Sequence, residues 1–167
     1  MNDEAKLGFG TRCLHVGQGP DPETGAAAPP IYQTSSYEFP DADTAAARYA
    51  LEDEGNVYSR ISNPTVRALE ERLASLEGGV DALATAAGMG ALDAATSVLA
   101  ETGDNVVCAP SVYGGTHGYL SHTAARRGIE ARFVDTLDPE AYAEAIDENT
   151  AYVHCETVAN PALVTPP

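Results

Sequence analysis

Gly88-Met89-Gly90 stands between a short apolar run, Ala82 to Ala86, and a stretch whose apolar residues Leu92, Ala95, Val98 and Leu99 share one helical face. The periods predict a strand that turns through glycine into a helix. Such a turn leaves bare backbone N–H groups at the helix start, where they and the helix dipole favour an anion, most often a phosphate. Glycine lets the backbone approach a ligand closely. The same residues also suit a plain strand-to-helix turn with no ligand. A dinucleotide fits poorly, because the spacing Gly-x-Gly lacks a third glycine. The next strand, from Asn105 to Cys108, also ends in Ala109-Pro110, without an acid to hold a ribose.

The elements that must position this turn alternate. A strand over 82–86 leads to a helix over 89–100, and a turn at Gly103-Asp104 leads to a strand over 105–109. The glycine-rich loop at 113–116 opens a helix that runs to Arg127. A strand over 129–134, a helix from Asp138-Pro139 to Ile146 and a strand over 151–156 follow. Strands alternating with helices imply an α/β fold with a parallel sheet covered on both faces. Ligands of such sheets sit outside the C-terminal strand ends. Gly88, Tyr113 and Asn160 each lie just past a predicted strand end, so the three are expected at one site. Upstream, Asn63 caps a helix with Pro64 in its first turn, Val66, Leu69, Leu73 and Leu76 on its apolar face, and Gly78-Gly79 as its stop. A short alanine-rich helix is expected over 43–51. Residues 1–40 are rich in Gly and Pro and predict an arm with no long regular element. Within the arm, Ile31 to Tyr37 is apolar, aromatic and nearly uncharged, so it is expected to dock on the domain or on a neighbouring subunit.

Composition narrows the function. A chain of 167 residues with 44% hydrophobic content is globular, with enough length for a real core. It has no apolar run of membrane length and no signal-peptide pattern at its N-terminus. Cys13, Cys108 and Cys155 are scattered, which suits reduced thiols in a cytoplasm. No His or Cys spacing suggests a metal ligand set, so no metal is expected. The chain carries 25 acids against 9 bases, a net charge of −16, which argues against nucleic acid or an anionic membrane as partner. The acids are dispersed and Lys6 is the only lysine, as expected for a protein of a high-salt cytoplasm.

Five short motifs, taken together, carry a resemblance. Tyr58-Ser-Arg60, Asn63-Pro64-Thr65, Gly88-Met89, Val112-Tyr-Gly-Gly-Thr116 and Glu156-Thr157-x-x-Asn160-Pro161 follow in the order seen in the Cys/Met-metabolism enzymes. That family uses pyridoxal phosphate and has an aminotransferase-like fold. The resemblance implies an arm and short helix over 1–62, then over 63–167 the first part of the large, cofactor-binding domain of a type I fold. Thr11-Arg12-x-Leu14-His15-x-Gly17-Gln18, Pro20-Asp-Pro-x-Thr-Gly25, Pro30-Ile-Tyr-Gln-Thr34 and Gly128-Ile-Glu-x-Arg-Phe-Val134 look most like its O-acetylhomoserine sulfhydrylase branch. The cystathionine γ-synthase and γ-lyase branches share the same chemistry and are the alternative.

The resemblance also assigns roles. Gly88 and Met89 would offer backbone N–H groups to the cofactor phosphate. Ala87 stands where family members commonly have Ser, at the cost of a hydroxyl contact. Tyr58 and Arg60 resemble the pair that holds the phosphate of a neighbouring subunit's cofactor, which implies a homo-oligomer. They would then not reach their own chain's Gly88 turn. Tyr113 resembles the aromatic that stacks on the pyridine ring and assists leaving-group chemistry. Asn160 resembles the amide bonded to the ring oxygen. The substrate would be a small amino acid. Three family groups lie beyond this stretch: the lysine that binds the cofactor as a Schiff base, the acid on the pyridinium nitrogen and the arginine on the substrate carboxylate. The resemblance therefore implies an N-terminal fragment that is inactive alone, with a sheet edge left unpaired. The alternatives are a non-catalytic remnant and one half of a split enzyme.

Overall fold

The computed structural model describes residues 6–166. The Met1 α-amine, which with the Lys6 amine is a candidate to stand in for the lysine that lies beyond this stretch, lies outside them. The contacts divide the chain into two compact units, 1–84 and 85–167.

In the first unit three helices form: α1, Phe9–His15; α2, Ala42–Tyr49; and α3, Pro64–Glu77. The seven-residue α1 arises within the arm and packs on α3. Arg12 donates to the carbonyl of Ser75, and Arg72 donates to the Val16 carbonyl at 2.9 Å and to Gln18 Oε1 at 2.7 Å. Gly17 has φ of 78°, and a Cβ there would strike the carbonyl oxygen of Ala68. Both the backbone angle and the close approach to α3 therefore require glycine at this position. Asn63 caps α3 by accepting from the Thr65 N–H, with Pro64 behind it, and Gly78 ends the helix in the left-handed conformation. Asn63 Nδ2 also donates to the Tyr32 carbonyl, and the Thr65 hydroxyl accepts from the Tyr32 N–H. The 31–37 stretch is thus held by its backbone, while the Ile31 side chain is 83% exposed. These bonds group α3 with the arm, so the contact boundary falls later than the division at residue 62 drawn from the motifs.

The second unit begins with α4, Gly88–Leu99, and continues β1, Asn105–Cys108; α5, Gly114–Gly118; β2, Glu130–Phe133; α6, Pro139–Ala145; and β3, Thr150–His154. After α5 the helical path widens into a π segment, Tyr119–Ala124, and tightens into a 3₁₀ turn, Ala125–Arg127. The three strands form one parallel sheet in the order β2-β1-β3, with β1 central and fully buried. Both ladders run in step, except that Ala151 is skipped between Thr150 and Tyr152. The core joins Val106 and Cys108 to Tyr119, Leu120, Ala124 and Ile129, with Met89, Leu92 and Phe133 packed against it. Thr96, fully buried on α4, bonds the Tyr152 hydroxyl at 2.7 Å and so ties α4 to β3. At the N-terminal strand ends, Asn105 joins Asp147 and Thr150, and Arg132 bonds Asp147 at 2.7 Å.

The strand expected over 82–86 does not form. A strand exists only where its backbone meets a ladder partner. Here the Ala82 N–H turns to Asp81 Oδ1, and the Ala84 N–H goes to Glu70 Oε1. No helix among the described residues is long and apolar enough to cross a membrane.

Candidate functional site

Cys108 and His154 lie side by side at the C-terminal ends of β1 and β3. Both strands release the chain on the same side of the sheet, so the loop before α5 and the turn after β3 meet there. The start of α4 comes to the same edge. Gly88, Met89, Leu92, Tyr113, His154 and Glu156 line a cleft of about 460 Å³ at this place.

The start of α4 is open. Ala87 is extended and offers no side-chain cap, and the first turn holds no acid. The Gly90 and Ala91 N–H groups fold back on the Ala87 carbonyl, which leaves Gly88 and Met89 as the helix N–H groups without an intrahelical acceptor. A Cβ on Gly88 would meet nothing within 4 Å, and its φ is not left-handed. Neither the backbone nor a protein neighbour requires glycine at 88, and the open space over the helix start is what close approach of an anion requires.

Tyr113 stands at the N-cap of α5 and is 47% exposed. Its ring lies over Gly115. A Cβ at 115 would run into the ring and come within 3.2 Å of Met89 Sδ. Glycine at 115 is therefore what makes room for the ring beside Met89. Glu156, part of the motif but not among the expected site residues, ties the loops together. Its Oε1 accepts from the Tyr113 N–H at 2.8 Å and from the Thr116 hydroxyl at 3.4 Å, and its Oε2 accepts from the Asn160 N–H at 3.3 Å. Asn160 is thus held at the cleft by its backbone, with its side chain exposed. The signal available in sequence was the position of Glu156 at the head of the Glu-Thr-x-x-Asn-Pro run.

Burial pushes the Cys108 thiol up to about 12, with the Glu156 charge adding to the effect. Burial likewise lowers the His154 imidazole, partly opposed by Glu156, and leaves its Nε2 without a hydrogen-bond partner. Tyr58 and Arg60 belong to the first unit. The Arg60 guanidinium sits 5.2 Å from the centre of the Tyr58 ring, and both side chains are exposed. An antiparallel bridge between Ser36 and Tyr58 holds their loop. The structure thus brings Gly88, Met89 and Tyr113 to one cleft, with Asn160 tethered beside it, and pairs Tyr58 with Arg60 separately.

An open parallel α/β sheet thus gathers a bare helix start, an aromatic ring and an Asn-Pro turn past its strand ends, where ligands of such sheets sit. The chain belongs to the Cys/Met metabolism PLP-dependent enzyme family, whose pattern matches residues 10–166. It is 46% identical over 155 residues to an O-acetyl-L-homoserine sulfhydrylase of Leptospira meyeri, covering 93% of this chain and 35% of that protein. It is 41% identical over 158 residues to an L-methionine gamma-lyase of Treponema denticola, covering 95% and 39%. The crystal structure of an O-acetylhomoserine (thiol)-lyase from Campylobacter jejuni, which carries N'-pyridoxyl-lysine-5'-monophosphate, superposes with a TM-score of 0.86 at 40% identity. That match covers 96% of this chain and 39% of the other. The chain spans well under half the length of these relatives. The fold is accordingly the aminotransferase-like fold of pyridoxal-phosphate enzymes. The open start of α4 and the unfilled space over Gly88 fit the phosphate of that cofactor.

Proposed function

We propose that this chain is part of a pyridoxal-phosphate enzyme that replaces the acetate of O-acetyl-L-homoserine with sulfide, giving homocysteine. Its own contribution is to cradle and orient the cofactor. The observation that carries the reading is that the Gly88 and Met89 amides and the Tyr113 ring open on one cleft. When bound, pyridoxal phosphate supplies an electron sink for charge developing on the substrate's Cα. Gly88 and Met89 hold the phosphate by backbone N–H groups. Tyr113 would cover the ring, with its hydroxyl placed to donate a proton to the departing group. Asn160 orients the ring through its oxygen. Tyr58 and Arg60 serve the phosphate of a neighbouring subunit, so the assembled enzyme is a homo-oligomer. Identity to a methionine gamma-lyase supports a second reading, a lyase of the same family acting on an intact sulfur amino acid. The charge excess favours a cytoplasm of high salt, and no nucleic acid or membrane partner.

Titration of the purified chain with pyridoxal phosphate, pyridoxal and inorganic phosphate tests the cradle. The first ligand is expected to bind more tightly than the other two, and equal binding of all three overturns the reading. Co-purification of a chain that supplies a cofactor-bound lysine favours a split enzyme over a remnant. Assay of that assembly with O-acetylhomoserine and sulfide against methionine then separates the two branches.

A further inference from the structure

We propose that Glu156 is a positioning residue that locks the Tyr113 loop and the Asn160 turn into one rigid frame for the cofactor ring, an inference that rests on the cofactor reading above. One carboxylate reaches both loops. Oε1 takes the Tyr113 N–H and the Thr116 hydroxyl, and Oε2 takes the Asn160 N–H. The two loops are more than forty residues apart in sequence, as the Tyr113–Glu156 separation of 43 records. They follow the adjacent strands β1 and β3, so a single acid at the end of β3 can bridge them.

Helix α5 has no side-chain cap of its own, and the Glu156 carboxylate lies at its N-terminus in that place. The carboxylate accepts from the Tyr113 N–H, a charge-assisted hydrogen bond that holds the chain where α5 begins. Tyr113 itself is half exposed, with its ring beside Gly115. Asn160 is exposed, and its N–H donates to Glu156 Oε2, while the buried Ala159 before it bonds Val164 and Leu163 through the backbone. The ring contacts assigned to Tyr113 and Asn160 need both loops at a fixed separation, whereas the Gly88 and Met89 amides belong to α4 and the hydrogen bonds of Glu156 go elsewhere.

The frame therefore predicts a selective effect. In Glu156→Gln the size is kept, but one acceptor becomes a donor and the charge is lost. Affinity for pyridoxal phosphate, measured by calorimetry on the purified chain, is expected to fall about tenfold, the effect of a charge-assisted hydrogen bond. Affinity for inorganic phosphate is expected to hold or rise, since its amides are intact and a nearby negative charge is gone. Amide hydrogen exchange of Tyr113 and Asn160 in the unliganded chain should quicken together. Glu156→Asp, which keeps the charge but shortens the reach, should quicken at least one of the two. Equal weakening of both ligands would mark general damage and overturn the proposal, as would unchanged exchange at either amide in Glu156→Gln. If the wild-type chain binds pyridoxal phosphate no better than phosphate, the cofactor reading fails and the positioning role falls with it, whatever the amides do.

Discussion

Gly115 shows how one missing side chain shapes the site. Any Cβ there meets the Tyr113 ring, so Gly115→Ala must turn the ring off its present rotamer or shift the loop. An off-rotamer aromatic costs about 1 kcal/mol in the folded chain, so the melting temperature should fall by roughly 2–4 °C, and pyridoxal phosphate affinity should fall as the ring leaves its place. Calorimetry and a thermal melt on the same variant check both halves. The cysteines differ in the same local way. Cys108 is fully buried in the sheet with its thiol pushed up to about 12, whereas Cys155 is exposed one residue past β3. The thiolate is the reactive form, so a disulfide reagent near neutral pH should label Cys155 in the native chain and reach Cys108 only in denaturant. Native labelling of Cys108 at the rate of Cys155 would contradict the buried position of β1.

At the scale of elements, the caps and the strand-end network decide which pieces hold. Asn63 accepts from the Thr65 N–H and donates to the Tyr32 carbonyl and to Ser59 Oγ, all from a buried position. Asn63→Ala should cost about 1–2 kcal/mol in denaturant unfolding, at the upper end of measured caps. Asn63→Ser keeps the cap and loses the two donors, so it should recover part of that loss. Asp147 ties β1 to β2 and β3 at their N-terminal ends. The Arg132 guanidinium, followed by the Asn105 amide, holds its carboxyl down at about 2. Because the folded value lies below the ordinary 3.8, its contribution is full above 3.8 and drains away as pH falls toward 2. An acid-unfolding series should therefore be flatter between those values for Asp147→Asn than for the wild type.

For the whole molecule, charge and the inventory of amines set the expectations. With 25 acids and 9 bases, self-repulsion opposes the compact state and salt screens it. The melting temperature should rise from low to molar KCl, and equal melts at both would remove the high-salt reading. Lys6 is the only lysine in the 167 residues and belongs to the first unit, whereas the cleft residues belong to the second. Family chemistry needs an amine placed at the cofactor's aldehyde. The 167-residue chain, tested alone with pyridoxal phosphate, O-acetylhomoserine and sulfide, should show no turnover above free cofactor. Turnover lost on Tyr113→Phe would mean that another amine serves.

The sequence by itself determined the helices that carry their own signals. The Asn63-Pro64 cap, the Gly78 stop and the apolar period of α3 are local, because capping and helical spacing act within one or two turns. The alternation after Gly88 likewise determined a parallel α/β unit, and the motif order carried the family. Tertiary structure decided what depends on distant partners. Helix α1 is short and lies among turn residues, and its bonds to α3 through Arg12 and Arg72 come from more than fifty positions away. The apolar run at 82–86 has strand-like residues but makes no ladder, because a strand is a property of a pair. Glu156 illustrates the same limit at the site. Its residue type was plain in the motif, but its hold on Tyr113 and Asn160 exists only because β1 and β3 are neighbours in the sheet.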